Sequence, residues 1–491
     1  MKERSSGILM HISSLPGKYG IGDFGAEAYR FIDFLKKSKV KYWQVLPLGI
    51  TGFADSPYQC FSSYGGNPYF IDLDEFIKEG YLDKQLVKEY DLGKDPERVD
   101  YGLLYENKYH ILRLAYKNSF HKIKDQLKDF HKENKDWLGG LALFMSLKNK
   151  FKNLSWQDWP SEYKDCTSPM VRDFQKENKE EIYFWVFTQY YFFKQWKNLK
   201  QYANHKGIRI IGDLPLYVSE DSSDIWENPY LFKVDNDLSL TRRAGVPPDY
   251  FSPSGQLWGN PIYDWEEMDK ESYKWWIDRI KYNLDLFDVL RLDHFRGFSS
   301  YWEIDAQADK AIDGQWQKGP GIKLFKKLKE EVDRPNIIVE DLGTYSPDVE
   351  NLVKSTGFPN MKVLQFAFNP HEESTHLPHR IGENTLAYTG THDNPTSMTW
   401  LKSLSSDEFN YLSKYLKLNN EEGLNWGFIR GAWASNAYLA IAPIQDFLGL
   451  EDARMNTPGS PRNNWTWRVN EDDLKEELAR KIRSLTELYG R

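Results

Sequence analysis

Only two of the 491 residues are cysteines, Cys60 and Cys166, and no motif pairs them, so the sequence reads as that of a protein kept reduced in the cytoplasm. Long apolar runs are missing too. Nothing approaches the roughly 20 consecutive residues that a membrane helix needs, and no membrane association is expected. The amino terminus, MKERSSGILMHISSLPG, opens on basic residues, but its apolar run is too short for the h-region of a secretion signal. A basic excess is absent as well: 64 Lys and Arg stand against 72 Asp and Glu, a net charge of −8. That balance argues against nucleic acid as a partner, because phosphate neutralisation calls for cations. Internal repeats and low-complexity tracts are likewise lacking. The sequence sets no oligomeric state, and a monomer is compatible with all of it.

Aromatic residues, by contrast, are abundant, with 18 Trp, 30 Tyr and 28 Phe. Many must be core, yet Trp and Tyr in loops offer flat apolar faces with a polar handle, suited to ligands such as sugars. Short apolar, β-branched runs bounded by turn residues predict eight strands, at 7–12, 42–47, 208–215, 288–294, 336–343, 361–366, 385–393 and 438–446. Several are apolar throughout, as parallel strands covered on both faces must be. Helical patterns lie between them. Residues 26–37 carry Ala28, Phe31, Ile32 and Leu35 on one face, and an aromatic-rich stretch over 180–206 stops at Gly207. A terminal helix is expected to start at Asn470, a good N-cap, and to run through Leu474, Leu478, Ile482, Leu485 and Leu488.

This alternation predicts an α/β fold, a single catalytic (β/α)8 TIM barrel over 1–491 with large, mostly helical insertions. Its weak step is 366–385, where no helix pattern shows, and a doubly wound open sheet is the alternative. The second and third strands are too far apart for one helix, which predicts a helical insertion over 55–175. A loop-rich insertion or lid is expected over 215–275 after the third strand, where GVPPDYFSPSGQLWGNPIYDW (245–265) is too long for a simple crossover.

Several motifs are decoys. GIGDFG (20–25) follows its strand too late, and no acidic ribose binder ends the next strand, so a sharp loop is the better reading than a dinucleotide site. HEESTH (371–376) lacks the histidine spacing of a zinc helix, and DND (235–237) lacks the glycine and terminal Glu of a calcium loop. The informative pattern is where carboxylates fall. Asp213, Asp293, Glu340, Asp341 and Asp393 all sit at predicted strand ends, the face on which barrel enzymes build their sites. Crowded carboxylates raise one another's pKa unless neighbours compensate. Arg291, two residues before Asp293, lies on the same strand face and is expected to keep it ionised, whereas Glu340 has no cation beside it in sequence and suits a general acid. Taken alone, these residues leave three readings open: a divalent-metal barrel, glycosyl transfer by paired carboxyl groups, and sugar binding without chemistry.

RLDHFRG (291–297), VEDLG (339–343) and THD (391–393), in that order, resemble the catalytic motifs of the α-amylase clan of glycoside-processing barrels. With SSLPGKYGIGDFG (13–25), DSPYQ (55–59), GNPYFIDLD (66–74), the 245–265 stretch and MNTPGSPRNNWTWR (455–468), the sequence is similar to the 4-α-glucanotransferases called amylomaltase or disproportionating enzyme. The resemblance runs from near residue 5 to about 470. It implies Asp293 as nucleophile, Glu340 as general acid/base, and Asp393 as the carboxylate that holds sugar hydroxyls and stabilises the transition state. It implies Arg291, His294 and His392 around the reacting glucose, and Asp213, Tyr58, Asp249, Gln256, Trp258 and Asn464 along the glucan groove; Asp341, from the rim, is counted with these binding residues. It implies no metal and no organic cofactor. The expected partners are an α-1,4-glucan donor and a glucose or maltooligosaccharide acceptor, joined by a retaining double displacement. A lid carrying Tyr250, Phe251 and Trp258 is expected to exclude water. A hydrolase of the same clan and a non-catalytic glucan-binding barrel are the alternatives.

Overall fold

The computed structural model describes residues 3–248, 254–460 and 462–491. Eight parallel strands form its centre: Ser5–Leu9, Tyr42–Gln44, Arg209–Leu214, Val289–Leu292, Ile337–Val339, Asn360–Val363, Thr385–Tyr388 and Leu439–Pro443, hereafter the first to eighth barrel strands. Each pairs with its sequence neighbours, and the eighth pairs with the first in the register Ser5 to Leu439. A hydrogen bond from Val339 N to Pro359 O, at 2.9 Å, joins the fifth strand to the sixth and completes the ring. The barrel holds although 366–385 contains only short turns, at Leu364–Phe366 and Pro378–Arg380, and no α-helix. Phe368 instead carries the packing there, against Trp400, Tyr415 and Phe428.

Strand alternation divides the core in two. Leu9, Leu46, Ile211, Val289, Ile338, Val363, Tyr388 and Ile441 face one another inside the barrel. Their neighbours, such as Ile8, Trp43, Ile210, Leu290 and Ile337, face the surrounding helices. The same parity continues past the strand ends, and it decides which polar groups point into the mouth.

Between the second and third strands the chain forms helices at Leu73–Lys78, Lys84–Lys88, Tyr101–Glu133, Leu138–Lys150 and Pro169–Glu177. They build on the long helix Lys179–His205, which ends before Gly207 in the left-handed conformation. Among the described residues, the region after the third strand contributes two strands to a second sheet. Arg242–Val246 and Gln256–Pro261 join Ser300–Asp305 and Gln315–Lys318 in a four-stranded antiparallel sheet. The 300–318 hairpin was not expected, because its strands are short and their polar faces blur the apolar alternation. The terminal helix also starts later than expected, at Glu476. Glu471–Asp473 makes one separate turn, and Leu474, at φ −84° and ψ 52°, interrupts the helical path.

Candidate active site

Val289, Arg291 and Asp293 share one parity, so the sequence that buries Val289 in the barrel aims Arg291 and Asp293 into its mouth. Across the sheet Asp213 is in register with Arg291. The Arg291 guanidinium donates to both Asp213 oxygens at 2.7 and 2.6 Å, and to Asp293 Oδ1 at 2.8 Å. Arg291 and Asp213 are buried, while the Asp293 side chain keeps 24% of its surface exposed. Burial pushes the Asp213 carboxyl up and Arg291 opposes it; the guanidinium, held between carboxylates, stays charged. The Tyr58 hydroxyl donates to Asp213 Oδ2 at 2.8 Å.

Glu340 follows Ile338 by the same parity. The chain turns sharply after Asp293, with His294 at φ 50° and ψ 47°, and this turn directs His294 N to Glu340 Oε2 at 2.9 Å. Leu342 N donates to the other oxygen at 2.6 Å. These two donors and Arg291 favour a charged Glu340, but burial and the nearby Asp293 outweigh them and push its pKa up to about 8. Glu340 is therefore a protonated acid at neutral pH. Asp341 has the opposite parity and binds elsewhere, accepting from Asn360 Nδ2 at 2.8 Å and Met361 N at 3.3 Å.

The loop after the seventh strand supplies His392 and Asp393. His392 Nε2 lies 3.3 Å from Asp393 Oδ2, and its ring stacks on Tyr58 with centroids 5.1 Å apart. Asn456 Nδ2 donates to Asp393 Oδ1 at 2.6 Å, and the Arg454 guanidinium donates to the Asp393 carbonyl. Trp258 meets the His294 ring edge-on at 4.8 Å, and its indole N–H donates to Gln256 Oε1 at 3.2 Å. Burial pulls the His294 pKa down to about 4, so its ring is neutral.

The structure thus gathers Tyr58, Asp213, Arg291, Asp293, His294, Glu340, His392, Asp393, Gln256 and Trp258 about one mouth. Asn464 instead braces its own loop, accepting from Thr457 N at 2.9 Å and donating to Ser460 O at 2.5 Å. Asp249, Tyr250 and Phe251 lie outside the described residues. Sequence reasoning passed over Arg454, Asn456 and His11. Asn456 stands inside the MNTPG stretch, and His11 carries the parity of Leu9 past the first strand, a signal that was there to read. The His11 ring is buried and accepts from Leu46 N at 3.2 Å. Among the described residues, no three His, Cys, Asp or Glu side chains form a set that could hold a metal ion, and no helix is long and apolar enough to cross a membrane.

A closed parallel barrel whose C-terminal mouth joins an ion-paired carboxylate to a buried, protonated one defines the class of barrel enzymes that work with paired carboxyl groups. Residues 10–474 match the model of the 4-alpha-glucanotransferase family, and the chain belongs to that family. It is 48% identical to a 4-alpha-glucanotransferase of Clostridium butyricum, over 98% of this chain and all of that one. The counterpart in Streptococcus pneumoniae is 47% identical, over 100% of this chain and 98% of its own. Among solved structures, the amylomaltase of Streptococcus agalactiae in complex with acarbose superposes with a TM-score of 0.98 at 42% identity, covering both chains fully.

Proposed function

We propose that the protein moves segments of α-1,4-glucans to the 4-hydroxyl of an acceptor glucan by a retaining double displacement. The observation that carries this reading is the split between two neighbouring carboxyl groups, Asp293 paired with Arg291 and Glu340 buried with its pKa pushed up to about 8. Asp293 attacks the anomeric carbon of the donor as the glycosidic C1–O4 bond breaks, and Glu340 gives its proton to the departing oxygen. A glucosyl ester on Asp293 remains. Esterification removes the Asp293 charge, one of the two causes that raise the Glu340 pKa, so Glu340 stays ionised after giving up its proton and is available as the base of the second step. It then takes the proton of the acceptor 4-hydroxyl as that oxygen attacks C1 and frees Asp293.

Asp393, set by Asn456 and beside His392, is the group for hydroxyls of the reacting glucose. Asp213, itself held by the Tyr58 hydroxyl, holds Arg291 in place. Trp258, beside His294, offers an apolar face to the sugar. The donor is an α-1,4-glucan and the acceptor glucose or a maltooligosaccharide. Both cysteines are free, which fits a cytoplasmic setting. Incubation with maltotriose alone tests the reading by chromatography. Glucose together with chains longer than maltotriose is expected, since hydrolysis cannot lengthen a chain; glucose and maltose alone would overturn transfer in favour of hydrolysis.

A further inference from the structure

Exposed large apolar side chains are mostly scattered over this surface, but Trp316 and Tyr345 are joined through one charged residue. Trp316 stands opposite Trp302 across the 300–318 hairpin, and the two rings meet edge-on at 5.2 Å. From another side the Arg296 guanidinium lies 4.4 Å from the Trp316 ring centre. The same guanidinium donates to Thr344 O at 3.1 Å, which ties the hairpin to the loop bearing Tyr345. Tyr345 donates its hydroxyl to Glu350 Oε2 at 2.9 Å, and Lys354 holds Glu350 at 2.6 Å. Trp316 nevertheless keeps 43% and Tyr345 75% of its surface in water.

Aromatic rings left in solvent gain nothing from burial, and here two of them flank the one arginine that ties their loops together. This region continues the active site. Arg296 belongs to the turn that begins at His294, and the Tyr345 loop is the one that leaves the fifth strand through Glu340. The general acid protonates the departing oxygen, so its side of the groove is where the leaving chain exits and the acceptor enters. We propose that Trp316 and Tyr345 form a stacking rest for glucose units of that chain, beyond those at the carboxyl groups, and thereby set a preference for longer glucans. The proposal deepens the glucanotransferase reading and rests on it. A pyranose ring presents a C–H face that an exposed aromatic ring can cover, and rings already held in place lose little freedom on binding.

The test compares kcat/KM for maltoheptaose and maltotriose in disproportionation by the protein and by Tyr345→Ala, Trp316→Ala and Trp316→Phe. The ratio of long to short substrate should fall about fivefold to tenfold in the alanine variants, chiefly through KM, and Trp316→Phe should restore most of it. Maltoheptaose titration of Asp293→Asn, followed by Trp fluorescence, should show binding weakened by the same factor when Tyr345→Ala is added. An unchanged ratio, or an equal loss on both substrates, would overturn the stacking rest. Failure of the unsubstituted protein to lengthen either substrate would overturn the glucanotransferase reading instead.

Discussion

At the scale of single residues, the decisive contrast is between two carboxyl groups with different neighbours. Asp293→Asn should lower kcat by about 10³-fold or more while binding of maltooligosaccharide to the variant persists in calorimetry; near-normal transfer would remove Asp293 from the nucleophile role. Glu340 must be protonated for the first step, so kcat/KM should decline as pH rises through about 8. The same shift has a stability consequence. Folded Glu340 keeps its proton up to about 8 while the unfolded chain releases it near 4.5, so between those values the native state binds more protons and loses stability as pH rises. Glu340→Gln should therefore raise Tm relative to the parent more at pH 9 than at pH 5, while abolishing transfer. A constant Tm difference would show that Glu340 titrates normally. Much of this site was legible in the sequence because strand parity carries Val289 to Asp293 and Ile338 to Glu340. The hold of Asn456 on Asp393 was not, because it joins residues far apart in sequence through a loop without periodicity.

At the scale of elements, the long helix Lys179–His205 is a ruler for the loops that reach the site. The buried Gln189 amide donates to Gly66 O at 3.0 Å and accepts from Gly66 N at 2.7 Å. Gln195, further along, repeats the exchange with the backbone of Asp72, at 3.1 and 2.8 Å. Gly66 is needed there because a Cβ would come within 2.1 Å of the Phe192 ring. These clamps hold Gly66 and Asp72, on the segment that follows Tyr58 in sequence. Gln189→Leu would strand a buried N–H and a buried carbonyl, at a cost of about 1–3 kcal/mol each. Urea denaturation should show that loss together with a raised KM, as Tyr58 loosens its hold on Asp213; a change in neither would separate the helix from the site. The apolar periodicity of this helix placed it within one residue, whereas its glutamines carried no sign of which backbone they read. Short strands such as Gln315–Lys318 escaped for the opposite reason, since their partners supply the order that their own residues lack.

At the scale of the whole molecule, the helices between the second and third strands share one apolar core with the outside of the barrel. A buried charge cluster reinforces the joint. Lys108, on the helix Tyr101–Glu133, donates to Tyr69 O at 2.8 Å, and its charge opposes the burial that pushes Asp23 up to about 7. Lys108→Met strands the buried Tyr69 carbonyl and removes the cation that favours charged Asp23 and Asp72, and should cost about 1–3 kcal/mol. Calorimetry should show a lower Tm with a single transition for parent and variant alike; two separated transitions in the parent would mean that the helical region and the barrel fold apart. The ring itself has a consequence in time. Its seam pairs Ser5 with Leu439, so the first strand waits with one neighbour, the second, until Leu439–Pro443 has left the ribosome. Before that moment an open sheet edge faces the cell, and no glucan groove exists, because the residues of its walls stand on both sides of the gap. Catalytic competence therefore waits on the pairing of the first strand with the eighth, and a chain that lacks Leu439–Pro443 has no closed ring on which to build the groove.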